Sequence, residues 1–485
     1  MQNEMQLQQL VYGVMETQIK FGSLPYGSSL PTIKETSKYF CVSVDTVRQV
    51  YLRLKQAGYI SLSPSIGARV SVQYSPEETT QHIQAFFVAR QDTLLDLARS
   101  AQPLFLYAFW LALKTAPKDI LDLVEQRCLD QDLPLPYRMS WNLLQLFRSL
   151  GNDLFLRLIW QTCLLLYAPF LSIPFSKEAM THESTRFLHI IHLCKQKDWT
   201  TLWHTLEAHQ TQTFHTMRNF YEANLPHSRS VQQIQFSWNI YKKASQVCYS
   251  LCEEILHAIA KGAYPVGSYL PPPAQFAKEN KVSINTIRRS ISILNKLGAT
   301  QSVNGVGTKI LPPVLCSKNC DFSNPIIRNR LLDFVQTFQI FALSCKRCVK
   351  LTLAAMDTTS IQQTVRRLNQ IKHLGCNEMM LYICFELISL YAPYQAIRTI
   401  YTELLKQLIW GFPLGDLHGD RQSTNAYFLP YLDYFMDCLT RFDFDGFSEM
   451  LEKLQLNETD FSAKYLMAIG IKEAEDILIP FPLHQ

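Results

Sequence analysis

The apolar and polar positions of the first 58 residues predict three successive helices. The first helix is indicated by apolar residues with the spacing of one buried helical face, namely Leu7, Leu10, Val11 and Val14. Thr32 and Glu35 have the spacing of a capping box, which predicts the start of the second helix. Ser43 is expected to cap the third helix and Gly58 to end it. The apolar stripe of that helix consists of Val47, Val50, Tyr51 and Leu54.

Two short β-prone runs follow, at 59–63 and 68–72, with a turn through Pro64 and Gly67 between them. Three helices followed by a two-stranded hairpin are typical of a winged helix-turn-helix. In such a domain the third helix enters the major groove of DNA.

The same pattern occurs a second time at an offset of 240 residues. Residues 21–70 align without a gap on 261–310, with fourteen identical pairs. Many of the shared positions have turn or cap residues, such as Gly27/Gly267, Ser43/Ser283 and Gly58/Gly298. The second hairpin is expected to turn at Asn304-Gly305, a strong hairpin signal.

The remaining segments, 77–232 and 315–485, have helical periodicity and little strand-like alternation. They also resemble each other, since Leu150-Gly151 and Leu166-Tyr167-Ala168-Pro169 recur at an offset of 224. An Asp followed by an aromatic residue is expected to open a late helix in both segments, at Asp198 and at Asp443.

We therefore predict a mainly α protein, built by tandem duplication of a winged helix-turn-helix followed by an all-α helical bundle. The expected domains are 1–76 and 233–314 for the winged helices, and 77–232 and 315–485 for the helical effector or assembly domains.

The composition agrees with a soluble globular chain of 485 residues, because 47% are hydrophobic and 18% are charged. The most apolar runs are shorter than the ~20 residues of a membrane-spanning helix, so no membrane association is expected. The first residues lack the pattern of a signal peptide. The 13 cysteines are an odd number without dense spacing, which favours a cytoplasmic location.

Positive charge is concentrated in the two repeated segments. Residues 1–74 have a net charge of +3 and residues 241–310 a net charge of +6, whereas the rest of the chain is negative. This distribution favours a polyanionic partner that is bound at two places. A basic face that only contacts solvent is the alternative.

The repeated residues resemble the DNA-binding domain of the GntR family. The likeness rests on Gly27-x-x-Leu30-Pro31, on Val42-Ser43-x-x-Thr46-Val47-Arg48 and on Gly58, each of which recurs in the second copy. It covers about 150 of the 485 residues. The resemblance implies that double-stranded DNA is a partner and that the protein regulates transcription.

The chain departs from the family pattern at cationic positions. Where the family has an arginine four residues after the leucine of its Leu-Pro pair, this chain has Lys34 and Ala274. Where an arginine often follows the capping serine, it has Val44 and Ile284. The first wing has Ser65 where the second has Gly305.

The resemblance places the DNA-binding residues on both copies. The outward residues at the start of each recognition helix are expected to contact bases, and other cations to contact phosphates. The full set is Lys34, Lys38, Ser43, Asp45, Thr46, Arg48, Gln49 and Arg69 in the first copy, and Ser283, Asn285, Thr286, Arg288, Arg289 and Lys309 in the second.

The helical segments are similar to the FadR/FCD bundles that follow many GntR-type domains, and they are candidate places for an unidentified small-molecule effector. Many such bundles hold a metal through an Asp and three His. Asp198 and His209 belong to the local likeness, but only His209 falls where a metal ligand is expected. A site rearranged around His182, His189, His192 and His204 is the alternative to surface histidines, but we expect no metal and no cofactor.

Two cysteine pairs offer a four-cysteine zinc site, Cys316 with Cys320 and Cys345 with Cys348. The apolar helical run around Cys345 favours a core role instead. No catalytic motif is found, and a second winged helix occupies the place of the aminotransferase domain that some GntR-type regulators carry. We therefore expect no enzymatic activity.

Two functions follow from these observations. The first is a sequence-specific DNA-binding transcriptional regulator that acts as a monomeric pseudo-dimer on an asymmetric operator, with a homodimer as the other assembly. The second is a protein-interaction or small-molecule sensor scaffold with degenerate winged helices, which the missing cations suggest.

Overall fold

A computed structural model describes residues 2–63, 67–129, 135–173, 177–225, 232–238, 240, 247–415 and 417–477. The chain divides into two compact units, residues 1–237 and 238–485. Each unit contains a winged helix-turn-helix followed by helices, as predicted. No helix in the described part of the chain has both the length and the apolar character that crossing a bilayer requires.

The winged helix of the first unit contains three helices and two strands: α1 (Gln2–Lys20), α2 (Ile33–Phe40), α3 (Val44–Gln56), β1 (Ile60–Ser63) and β2 (Gly67–Val70). The helices that follow are α4 (Pro76–Val88), α5 (Gln91–Thr115), α6 (Lys118–Leu129), α7 (Leu135–Phe147), α8 (Asp153–Leu166), α9 (Ala168–Leu171), α10 (Lys177–Gln196) and α11 (Trp199–Asn224).

The second unit repeats this order. Its winged helix contains α12 (Val247–Ala260), α13 (Pro273–Glu279), α14 (Ile284–Lys296), β3 (Thr300–Val303) and β4 (Gly307–Ile310). The helices that follow are α15 (Cys316–Asn319), α16 (Pro325–Ala355), α17 (Thr358–Leu374), α18 (Met379–Tyr391), α19 (Gln395–Gln407), α20 (Arg421–Arg441) and α21 (Phe444–Ala468).

The predicted caps of the first winged helix are confirmed. The Thr32 backbone N–H donates to Glu35 Oε2 at 2.7 Å, and the Glu35 N–H donates to Thr32 Oγ1 at 3.2 Å. This reciprocal pair starts α2. Gly58 has a φ of +80° directly after α3, and Gly298 has a φ of +81° directly after α14. Such values favour glycine, which explains why both copies have it there.

Each wing also pairs through an isolated β-bridge with the segment before the second helix of its domain, which the sequence pattern does not reveal. The Leu30 N–H donates to the Ala68 carbonyl at 2.9 Å, and the Val70 N–H donates to the Ser28 carbonyl at 3.0 Å. The second copy has the same pairing, with a bridge between Tyr269 and Lys309. The segment before α2 or α13 is therefore tied to the wing in both copies.

The hairpins differ in detail from the prediction. β2 ends at Val70 rather than at residue 72. The second wing pairs Val303 with Gly307, so its loop has three residues, Asn304–Val306, rather than a two-residue Asn-Gly turn. Of the turn expected through Pro64 and Gly67 in the first wing, Pro64 lies outside the described residues and Gly67 is the first residue of β2.

The first winged helix shares its hydrophobic core with the helices that follow it. Leu144 of α7, Trp160 and Leu164 of α8 and Ala168 of α9 are buried in one cluster with Val47 and other residues of α1, α3 and the wing. Burying side chains of this kind stabilises a fold by about 1.5–3 kcal/mol each. The winged helix is therefore packed firmly against α7–α9.

The two helical segments confirm the predicted internal likeness. Gly151 and Gly375 both have a left-handed backbone, with φ of 61° and 60°. Asp198 caps α11 by accepting from the Thr201 N–H at 3.1 Å, and Asp443 caps α21 by accepting from the Gly446 N–H at 2.9 Å. The same backbone turn and the same cap recur, as expected of a duplicated bundle.

Cys345 and Cys348 are completely buried in α16, which agrees with the predicted core role. Burial raises the pKa of the Cys348 thiol to about 12. The described residues contain no group of three or more His, Cys, Asp or Glu that could hold a metal ion.

The second winged helix contacts its own bundle through a buried acid. Glu253 of α12 is 5% exposed, and its Oε1 accepts hydrogen bonds from Gln407 Nε2 at 2.8 Å and Trp410 Nε1 at 3.0 Å. Burial raises the pKa of Glu253 to about 8, and the two hydrogen bonds oppose that shift. Arg330 lies over the rings of Tyr249 and Trp410 beside it.

The raised pKa of Glu253 makes the stability of the second unit depend on pH. Between about pH 4.5 and pH 8 the folded state retains a proton that the unfolded carboxyl, with an ordinary pKa of 4.5, has released. The contribution of Glu253 to stability is therefore fully present below the unfolded pKa and falls as pH rises towards 8, by up to about 1.4 kcal/mol per pH unit. We expect Glu253→Gln to remove this slope in urea titrations at pH 5.5 to 8. Glu254→Gln, on the exposed neighbour, should keep the slope. An unchanged slope in Glu253→Gln would contradict the assignment.

Candidate nucleic-acid interface

A serine hydrogen bond sets the start of each recognition helix. The Ser43 Oγ accepts from the Thr46 N–H at 3.0 Å, and the Ser283 Oγ accepts from the Thr286 N–H at 3.1 Å. In each copy the serine and threonine hydroxyls are also 2.8 Å apart. Both predicted serines are therefore helix caps, and they fix the direction of the first turn.

Burial of one face of each helix turns the other face outward. Val47, Val50 and Leu54 of α3 are fully buried, as are Ile287 and Leu294 of α14. The predicted base-reading residues lie on the opposite, exposed faces, namely Asp45, Arg48 and Gln49 on α3 and Asn285, Arg288 and Arg289 on α14.

The predicted outward position of Thr46 is wrong. Its side chain is only 3% exposed, because its hydroxyl lies against the capping Ser43. Thr286 is partly buried in the equivalent place. Both threonines support the first turn of the helix, whereas the residues beside them form its exposed surface.

The two exposed faces differ in their electrostatics. Arg48 forms an ion pair with Asp45 one turn earlier on the same helix. In the second copy the position of Asp45 is taken by Asn285, which has no charge. Arg288 and Arg289 make no hydrogen bond or ion pair with any other described residue. The second face therefore presents two unpaired cations, and the first presents one cation beside an acid.

An exposed apolar residue opens each recognition helix. Val44 is 40% exposed and Ile284 is 42% exposed, although valine and isoleucine are normally buried. Both occupy the place where an arginine is common in the domains that the sequence resembles. Each face thus begins with a small apolar surface next to polar side chains.

The four residues that are predicted to contact phosphates all have exposed side chains. Lys34 and Lys38 lie on α2, and Arg69 and Lys309 lie on the second strand of each wing. Lys38 has Lys278 as its counterpart on α13, whereas the counterpart of Lys34 is Ala274. α2 therefore has two lysines where α13 has one, and the first two turns of α14 have two arginines where those of α3 have one.

The histidine alternative gains no support from the described residues. His189, His192 and His204 are exposed, and Asp198 is occupied as the cap of α11. The side chain of His182 lies outside the described part of the chain.

Comparisons with known proteins agree with this geometry. A family model described as bacterial regulatory proteins, gntR family, matches residues 7–70 and again residues 250–310. The HTH-type transcriptional repressor STM4068 of Salmonella typhimurium is 35% identical over 88 residues. That match covers 17% of this chain and 37% of the length of the relative.

Solved structures are similar to less than half of the chain. The GntR protein of Streptococcus agalactiae is 17% identical, with 44% of this chain and 98% of that one covered and a TM-score of 0.21. The E. coli protein McbR/YncC is also 17% identical, with the same shares covered and a TM-score of 0.23.

The Asp45–Arg48 ion pair predicts that removing the acid from the first copy and adding one to the second change the affinity for DNA in opposite directions. Asp45→Asn should free Arg48 and remove a negative charge from the first face, so duplex DNA should bind more tightly. Exposed ion pairs contribute about 0.2–1 kcal/mol, which corresponds to a gain of up to about fivefold. Asn285→Asp should weaken binding by a similar factor, because it gives Arg288 an acidic partner. Fluorescence anisotropy with a labelled duplex measures both changes.

Asp119→Asn is the control, since it makes the same charge change on α6 at an exposed position. Equal gains from Asp45→Asn and Asp119→Asn would show that only net charge matters, and would contradict the role of the ion pair.

Proposed function

We propose that this chain, in which two winged helix-turn-helix domains match the gntR family model, is a sequence-specific transcriptional regulator that reads one operator with both domains. The observation that carries the proposal is the pair of capped recognition helices, each with an exposed polar face, at the two places where the family model matches. No catalytic role is part of the proposal.

Each domain contacts DNA through the first turns of its recognition helix, which lies in the major groove. In this proposal Arg288 or Arg289 donates to the O6 and N7 atoms of guanine, and Asn285 pairs with adenine. Val44 and Ile284 offer apolar contact to the methyl group of thymine. Lys34, Lys38, Arg69 and Lys309 contact phosphates and set the register of the domain on the duplex.

A single chain supplies the two domains that a two-fold dimer would otherwise provide. Covalent linkage raises the effective concentration of the second domain to the millimolar range where the linker allows both to bind. The two helices present different residues, with Asp45, Arg48 and Gln49 on one and Asn285, Arg288 and Arg289 on the other. The two halves of the operator therefore differ in sequence, and the helical domains serve effector binding and assembly.

The exposed apolar residues at positions 44 and 284, together with Ala274, favour one other function. In this alternative the winged helices no longer bind DNA, and the chain is a protein-interaction or small-molecule sensor scaffold. The two functions differ in salt dependence, because neutralised phosphates release counterions and make DNA affinity fall steeply with salt. Absence of any mobility shift at low salt, with DNA selected from a random pool, would favour the scaffold.

The second domain should contribute more to affinity than the first. Replacing both Arg288 and Arg289 with Ala is expected to cost about 1–3 kcal/mol for each base contact that is lost. Arg48→Ala should cost less, because Asp45 already pairs with Arg48. Salt-dependent mobility-shift titrations measure both effects. The exposed Arg366→Ala on α17 is the control for net charge, and equal losses from the two domains would contradict the asymmetry.

The operator should be non-palindromic and bound by one chain. The centres of its two half-sites are expected to lie about 10 base pairs or a multiple of that distance apart. Light scattering of the complex gives the number of chains for each minimal duplex, and footprinting gives the protected sequence. Two chains on one minimal site, or a perfect palindrome among the selected sequences, would contradict the single-chain arrangement.

A further inference from the structure

One exposed arginine of the first helical bundle lies beside the first winged helix. Arg148 directly follows α7, at the start of a short 3₁₀ turn, Arg148–Leu150. Leu144, one helical turn earlier, is buried in the hydrophobic core of the winged helix together with Phe40 and Val47. Because side chains four positions apart lie on the same side of a helix, Arg148 is placed at the edge of this contact.

The charge of this arginine acts on the turn of the helix-turn-helix. Partial burial of the sulfur raises the pKa of the Cys41 thiol, and the positive charge of Arg148 opposes that shift. Cys41 directly follows α2, and its Sγ lies 3.5 Å from the carbonyl oxygen of Lys38. Lys38, Cys41 and Arg148 therefore lie along one edge, close to the Ser43 cap of the recognition helix.

The backbone of Arg148 is held in place, whereas its side chain faces solvent. The Ser149 hydroxyl lies 2.9 Å from the Ala112 carbonyl oxygen of α5, and Leu150 is buried. The Arg148 guanidinium is 3.4 Å from Gln145 Oε1, and no acidic side chain in the described part of the chain forms an ion pair with it. Its positive charge is therefore available to an anion from outside the protein.

The edge that Arg148 occupies is the part of a helix-turn-helix that approaches the DNA backbone. In this motif the first helix, here α2, crosses the backbone, while the N-terminal residues of the recognition helix contact base edges. Lys34 and Lys38 are exposed on α2. A cation of the bundle beside the end of α2 extends this row of lysines towards the start of α3.

The second bundle has a cation at the equivalent position, but with different neighbours. The offset of 224 that relates the bundles places Lys372 of α17 at the position of Arg148. Lys372 Nζ forms an ion pair with Asp433 Oδ1 of α20 at 2.6 Å, and α17 packs against α18 and α20. The two residues have the same charge and the same place in the repeat, so Lys372 is a matched control for Arg148.

We propose that the first bundle extends the DNA interface of its winged helix, with the Arg148 guanidinium donating to a backbone phosphate beside α2. The inference rests on the proposed function and adds a DNA contact from outside the winged helix. Arg148 supplies a cation that does not depend on the face of α3, where Asp45 pairs with Arg48. Phosphate contacts carry no sequence information, so Arg148 raises affinity without changing the selected sequence.

Salt-dependent titrations of the full-length chain with the selected duplex test this contact. Each neutralised phosphate contributes about 0.9 to the slope of log affinity against log salt. Arg148→Gln should lower the slope by about that amount and weaken binding about fivefold near physiological salt. Arg148→Lys keeps the charge and should retain the slope. An unchanged slope in Arg148→Gln would overturn the proposal.

Lys372→Gln is the control, because it removes the same charge at the equivalent position of the second bundle. It should leave the salt slope unchanged. Equal reductions from Arg148→Gln and Lys372→Gln would show an effect of net charge alone and would overturn the proposal. Urea midpoints show that each variant remains folded.

Neutral methylphosphonate groups, placed at one phosphate of the duplex at a time, locate the contact. At one position beside the first domain's half-site, the substitution should weaken binding of the wild type and have little effect on Arg148→Gln. The two changes remove the same interaction there, so their effects are not additive. Equal losses for both proteins at every position would overturn the proposal.

The failure of this inference can be told apart from failure of the proposed function. A wild-type chain that binds no duplex at any salt concentration would contradict both. Wild-type binding that is specific and salt-dependent, but insensitive to Arg148→Gln, would overturn the bundle contact and leave the regulator in place.

Discussion

The burial of one apolar stripe on each recognition helix determines what the rest of the domain can present to a partner. α3 and α14 have only 13 residues each, and the side chains that pack inward recur at helical spacing, as with Val47, Val50 and Leu54. Once these are buried, Arg48 and Gln49 must face outward, as must Arg288 and Arg289 in the second copy. The serine caps then set where the outward face begins. The hydrophobic core thus orients the polar surface.

The two copies share the buried helix stripe and the serine cap, and they differ in the charges on the exposed face. Asp45 lowers the positive potential around Arg48 on the first face. The second face has the uncharged Asn285 at the equivalent position, so no acid opposes its two arginines there. The contacts between each winged helix and its own helical bundle differ as well. The first winged helix shares an apolar core with α7–α9, and the second is joined to its bundle by a buried carboxyl with polar partners. Duplication has preserved the geometry while the electrostatics of the surfaces and junctions have diverged.

Features encoded within a few residues could be predicted from the sequence, and features that depend on distant residues could not. The capping box at Thr32 and the helix ends at Gly58 and Gly298 are local, and the structure confirms them. The β-bridge between Ser29 and Arg69 was missed because a single pairing shows no period in the sequence. Thr46 was assigned to the wrong face, since helical spacing alone does not reveal that its hydroxyl packs on the cap. Leu164 packs in the same core as Val47 although it follows Val47 by 117 positions, so no local pattern could predict that contact.

The shared core of the first unit also has a consequence for how the chain is made. Synthesis of the first winged helix is complete at Val70, but Leu164, which covers part of its apolar surface, is synthesised 94 residues later. At about 5–20 residues per second, this surface remains uncovered for roughly 5 to 20 seconds. During that interval the nascent domain exposes an apolar patch that chaperones can bind, and all of α8 is synthesised before the second unit begins at residue 238.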